Sequence, residues 1–129
     1  MDTMTVTVVP ASSATSVAGA RDSARRFLAD LRPATTAEAA ETVVMVVSEL
    51  VTNALRHGGG ACTMDLAAHP DSVEVAVHDS SPRTPRMRTP DLNGGTGGFG
   101  WLMVNRLAHT TAVTLYPVGG KTVSALLAR

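Results

Sequence analysis

The stretch from Thr35 to His57 constrains this chain more than any other part of it. At its centre stands Val43-Val44-Met45-Val46-Val47, so a helix through it is apolar almost all round. Such a helix cannot lie on a surface; it has to be the central, most buried helix of a packed domain. Thr35 followed by Glu38 has the spacing of a capping box, and Gly58-Gly59-Gly60 supplies a C-terminal stop. The few polar residues that such a helix carries through its buried length therefore need a reason to be there.

The rest of the chain supplies the cover. Thr3 to Val9 alternates Thr with Val or Met as a half-buried strand does, and Pro10 closes it. From Ser16 to Leu31, the residues Val17, Ala20, Ala24, Phe27, Leu28 and Leu31 recur at helical spacing, with Pro33 beyond. Cys62 to Ala68 and Val73 to His78 read as a hairpin about His69-Pro70-Asp71, and Thr111 to Tyr116 and Lys121 to Leu127 as another about Pro117-Val118-Gly119-Gly120. Between the hairpins, Ser80 to Gly97 holds too many Pro, Arg and Gly residues for a regular element and reads as a long loop. Gly98 to Ala108 restores helical spacing through Trp101, Leu102, Val104 and Leu107. The order β-α-α-β-β-α-β-β predicts an α/β (α+β) two-layer sandwich: a mixed, largely antiparallel sheet with helices on one face, in a single domain over residues 1–129.

Composition narrows the function. Aromatic residues are 3% of the chain, too few for the stacking platforms of single-strand nucleic-acid binders. Eleven Lys and Arg balance eleven Asp and Glu, which removes the simplest electrostatic case for nucleic acid or a membrane surface. Cys62 is the one cysteine, so there is no internal disulfide and no cysteine zinc cage. With no apolar run of membrane-spanning length and no signal-like start, the expected location is cytoplasmic.

Several residues could carry chemistry. Glu49 and Asn53 lie four apart, on one side of the central helix. A carboxylate there can act as a base and an amide oxygen can ligate a hard cation; an ordinary polar pair has the same spacing. Asp79 ends a strand, where it could accept from the exocyclic amine of a ligand base or simply start a turn. Gly94-Gly95-Thr96-Gly97-Gly98-Phe99-Gly100 runs into a helix, as phosphate-binding turns and flexible linkers both do. Gly119-Gly120-Lys121-Thr122 is not a phosphate-binding loop: Leu115 stands where its first glycine belongs, and a strand follows it. His57, His69, His78 and His109 lack zinc-ligand spacing and suit surface or capping roles; no Gly-x-Ser-x-Gly elbow occurs.

In chain order, Glu49-Leu-Val-Thr-Asn53-Ala-Leu-Arg-His-Gly58, Asp79, and Gly98-Phe-Gly100-Trp-Leu-Met-Val104 resemble the motifs of the GHKL ATPase superfamily and its Bergerat fold. The short chain, the Glu-Leu-Val-Thr-Asn-Ala stretch and the Gly-Lys-Thr-Val ending are most similar to the stand-alone bacterial anti-sigma-factor serine kinases of actinobacterial type. The resemblance implies an ATP-dependent serine/threonine protein kinase that transfers the γ-phosphate to an antagonist protein; the alternative is a non-catalytic, ATP-sensing binding module of the same fold. It implies ATP and Mg²⁺ as cofactors, with Glu49 polarising the attacking hydroxyl or water and Asn53 ligating the Mg²⁺. By the same resemblance Asp79 binds the adenine amine, Thr122 supports the adenine side, and Gly98, Phe99 and Gly100 hold phosphates. Residues of about 80–97 would form the ATP lid. The implied partners are a sigma factor, an antagonist protein or both, with room for a homodimer and with no direct contact to nucleic acid or membrane.

The chain departs from the family at one place. The family pattern Asp-x-Gly-x-Gly reads here Asp79-Ser80-Ser81-Pro82-Arg83, without the glycines that let backbone approach a ligand closely. Arg83, Arg86 and Arg88 could meet phosphates there or stay solvated.

Overall fold

The computed structural model describes residues 2–8, 13–57, 60–82 and 100–129. In chain order they form β1 (Asp2–Val8), α1 (Ser13–Ala29), α2 (Ala37–His57), β2 (Cys62–Ala68), β3 (Ser72–Asp79), α3 (Gly100–Leu107), β4 (Thr110–Leu115) and β5 (Lys121–Ala128). The element order is the predicted one.

The central helix starts one residue later than the capping box implies. Thr36, not Thr35, is its N-cap: the Thr36 hydroxyl accepts from the Ala39 amide at 3.1 Å, and the Thr36 carbonyl accepts from Ala40 at 2.9 Å. With Thr36 in that role the third helical position falls on Ala39, which has no side chain to return the bond, so the cap is one-sided. Glu38 still lies in the first turn, where its charge suits the helix dipole. Eight residues of α2 are buried, from Val43 to Leu55. Each buried Val or Leu contributes about 1.5–3 kcal/mol.

The five strands form one sheet in the order β1-β2-β3-β5-β4, and all four pairings are antiparallel. The expected mixed character is absent from these pairings. Because β5 runs antiparallel to both β3 and β4, those two strands point the same way, but β5 separates them, so no parallel pair forms. The hairpin β4–β5 folds back so that its second strand, not its first, lies beside β3.

Alternation gives the sheet two unlike faces. Met64, Leu66, Val73, Val75, Val77, Val123, Ala125 and Leu127 are buried on one face. Against that face α2 packs across β2, β3 and β5, while α1 packs on α2 and β1. The opposite face carries Thr63, Asp65, Glu74, His78, Thr122 and Ser124, all partly or fully exposed. Helices therefore cover one side of the sheet and leave the other polar, which is the two-layer sandwich that the element order predicts. Among the described residues no helix is long and apolar enough to cross a membrane.

Candidate functional site

Glu49 and Asn53 lie on the least buried stripe of α2, one turn apart. Both are half-buried, whereas Leu50, Val51 and Ala54 between and beside them are buried in the core. Among the described residues, no ion pair holds Glu49. Two features surround its carboxylate. On one flank is the backbone of Gly100, the first residue of α3, so close that a Cβ at that position would collide with Glu49 Oε2. On the other is an open groove between α1 and α2 of about 200 Å³, which Arg21, Arg25, Met45 and Ser48 help to line. An acidic side chain is thus set between a helix N-terminus and a groove open to solvent. A carboxylate so placed can take a proton from a group entering the groove.

Asp79 ends β3 with the same parity as Val73, Val75 and Val77, so it faces the helix layer. It does not stand alone. Directly opposite on β5 is Lys121, whose Nζ donates to Asp79 Oδ1 at 2.9 Å and to the Ser81 carbonyl at 3.2 Å. The two side chains are only 5% and 2% exposed. The Ser81 amide also donates to Asp79 Oδ1, at 2.9 Å, closing a turn of the kind that Asp favours with its own backbone two residues on. The missing glycines after Asp79 therefore leave the turn intact. The close approach comes from the other strand: a Cβ on Gly120 would lie 2.7 Å from the Asp79 carbonyl oxygen, and the φ of Gly120 is 89°. Cys62, on the start of β2, also feels this corner: burial first, and the Asp79 charge second, push its thiol up to about 11.

Thr122 lies on the opposite face of the sheet from Asp79. Its hydroxyl meets His78 Nδ1 at 2.6 Å and also bonds the Tyr116 hydroxyl. His78 Nε2 in turn lies 2.7 Å from Asp65 Oδ2, and Asp65 Oδ1 accepts from the Thr5 hydroxyl at 2.6 Å. The result is a polar chain across the uncovered face, from β1 to the end of β4. The Thr5 hydrogen bond, followed by the bond and charge of His78, holds the Asp65 carboxyl below its usual value against the opposing effect of burial.

The structure thus brings Glu49 to Gly100, keeps Asn53 one turn from Glu49, and puts Asp79 on the helix side of the sheet and Thr122 on the other. Gly98, Phe99, Arg83, Arg86, Arg88 and the lid segment from 83 to 97 lie outside the described residues. No cluster of three or more His, Cys, Asp or Glu that could hold a metal occurs among the described residues.

The model of the histidine kinase-like ATPase domain family matches residues 9–126, nearly the whole chain. The chain is a histidine kinase-like ATPase domain. This ATPase domain superposes on a solved structure of the RsbU and RsbW domains of Rv1364c from Mycobacterium tuberculosis with a TM-score of 0.71, at 18% identity, over 100% of its own length. It spans 33% of that longer chain, and at such identity the likeness speaks for the fold. A second solved structure, the histidine kinase domain of the Escherichia coli osmosensor EnvZ, matches 69% of the ATPase domain and 65% of its own chain, at 20% identity and a TM-score of 0.45. No curated protein sequence matches.

For an ATPase domain the donor set is informative. One amide oxygen, Asn53, beside one carboxylate, Glu49, is too little to hold a resident metal ion but fits Mg²⁺ arriving on nucleotide phosphates, since that ion keeps most of its ligands as water and phosphate oxygen. The residue of this corner that sequence reasoning missed is Lys121. Its signal was present: Val123, Ala125 and Leu127 share its parity, so a strand that buries them turns Lys121 inward with them.

Proposed function

We propose that this ATPase domain is a protein serine/threonine kinase of the anti-sigma-factor type, which passes the ATP γ-phosphate to a hydroxyl of an antagonist protein. The observation that carries the reading is the setting of Glu49, held between the first residue of α3 and an open groove, one helical turn from Asn53. A protein side chain can reach it from the groove side, and helix N-terminal amides suit phosphate on the other.

In this reading the acceptor hydroxyl donates its proton to Glu49 as its oxygen bonds the γ-phosphorus. The bond from that phosphorus to the β-phosphate oxygen breaks, and ADP leaves. Mg²⁺, bound with the nucleotide through Asn53, would offset the phosphate charge. Asp79 accepts from the adenine amine; Gly98, Phe99 and Gly100 hold phosphates. Thr122 supports the adenine side indirectly, because its bond to His78 ties β5 to β3 on the rung next to Asp79. The partners are the antagonist protein, a sigma factor or both, in the cytoplasm, with room for a homodimer.

The test is transfer of labelled γ-phosphate from Mg·ATP to proteins that co-purify with the chain, beside an ATP-binding titration. Glu49→Gln is expected to bind ATP as the wild type does while losing transfer by about 10²–10⁴-fold. Asn53→Ala is expected to weaken Mg·ATP binding itself. A wild type that binds ATP tightly but phosphorylates no co-purified protein would overturn the kinase in favour of an ATP-sensing module.

A further inference from the structure

The segment Gly119-Gly120-Lys121-Thr122 forms no phosphate loop, yet it delivers a charged side chain to the interior. Lys121 is 4% exposed and its ammonium is buried together with the Asp79 carboxylate. Its ammonium has three N–H donors. One goes to Asp79 Oδ1 and one to the Ser81 carbonyl. Among the described residues nothing takes the third, and a buried donor without an acceptor is costly enough to be rare. The carboxylate has a matching asymmetry: both of its hydrogen bonds, from Lys121 and from the Ser81 amide, end on Oδ1. One acceptor, Oδ2, and one donor of the same ion pair are therefore left over.

We propose that Lys121 reads the purine base together with Asp79: its third N–H donates to adenine N1 while Asp79 Oδ2 accepts from the amine at C6. This rests on the reading that the chain binds ATP. The two base atoms are neighbours on one edge of the ring, one acceptor and one donor, in the order the corner requires. Asp79 and Lys121 form the last rung of the β3–β5 pairing, at the end of β3 where the regular strand gives way to the next segment. Both side chains are almost wholly buried, which shields their polar atoms from bulk water and sharpens any hydrogen bond made there. The arrangement also discriminates. Guanine or hypoxanthine in the same register presents O6 to the carboxylate and N1–H to the ammonium, so acceptor faces acceptor and donor faces donor. Lys121 is thus a specificity-determining residue, and Asp79 alone is half of the reader.

The probe is 1-deaza-ATP, which keeps the amine but has C–H in place of N1. Calorimetric titration of the wild-type chain with Mg·ATP and Mg·1-deaza-ATP is expected to show weaker binding of the analogue by about ten- to a hundredfold, the usual worth of a hydrogen bond to a charged group. In Lys121→Met the gap is expected to close. Equal affinity of the wild type for the two nucleotides would overturn the role of Lys121 while leaving ATP binding standing. A gap that survives in Lys121→Met would overturn it too, because another group would then be reading N1. Binding of neither nucleotide would overturn the ATP reading and this inference together. Where Lys121→Met does not fold, the two wild-type titrations decide.

Discussion

Glu49 on α2 and Gly100 at the start of α3 are in contact, and the carboxylate fills the space that a Cβ at position 100 would need. The obstructing atom is the far end of a flexible side chain, so Gly100→Ala is expected to fold, with a stability change of about 1 kcal/mol or less. Glu49 must swing away to admit the methyl group. Misplacement of a reacting group by an ångström costs about 10²-fold in rate, so phosphate transfer is expected to fall by that order and by more than ATP binding does. Unchanged transfer by Gly100→Ala would show that the position of Glu49 does not matter to the chemistry.

Gly120 gives the opposite result for a reason of geometry. Its φ is 89° and the obstructing atom is the backbone oxygen of Asp79, which cannot rotate aside. Gly120→Ala is expected to destabilise the chain by about 2–4 kcal/mol, combining left-handed strain with overpacking. Gly119, with a φ of 99° and open space around it, carries the strain alone, about 1–2 kcal/mol. Urea unfolding of both variants checks this: equal losses would mean that the β3–β5 end is not rigid.

The Asp65 carboxyl is held below its usual value by Thr5 first and His78 second. A lowered value means that the folded chain favours the charged form, so the contribution is present above the unfolded value of 3.8 and is lost as the pH falls through the lower folded value. With its side chain 42% exposed, the pair is screened and worth under about 1 kcal/mol. The stability gap between wild type and Asp65→Asn is expected to be present above pH 3.8 and to vanish once the pH is well below it. A gap independent of pH down to that range would remove the carboxylate from the account.

Local signals carried most of the fold. The apolar run Val43-Val44-Met45-Val46-Val47 marks the central helix because only burial on several sides tolerates it, and the period-two valines at 73, 75 and 77 mark β3. The i,i+4 spacing of Glu49 and Asn53 was enough to set them one turn apart, since helix geometry is local. What escaped was set by pairing at a distance. Asp79 and Lys121 meet because β5 chooses β3 as its neighbour, in a register that nothing within either strand fixes. Alternation along β5 turns Thr122 to the uncovered face, away from Asp79; the register decides only that its neighbour there is His78. Thr35 and Thr36 are chemically alike, and which becomes the cap depends on how the preceding loop enters, not on residue type.

The placement of β5 between β3 and β4 has a consequence for how the chain comes off the ribosome. Until Lys121–Ala128 has been synthesised, β4 has no partner and β3 keeps an open edge, so α2 would rest on a sheet that lacks one of its central strands. Among the strands of the sheet, β5, which joins β4 to β3, is made last. A stalled or prematurely terminated polypeptide would leave β3, with its buried valines, available to any other unpaired strand in the cell. Such fragments are natural clients for chaperones and proteases, while a chain that includes β5 can close its sheet in one long-range step.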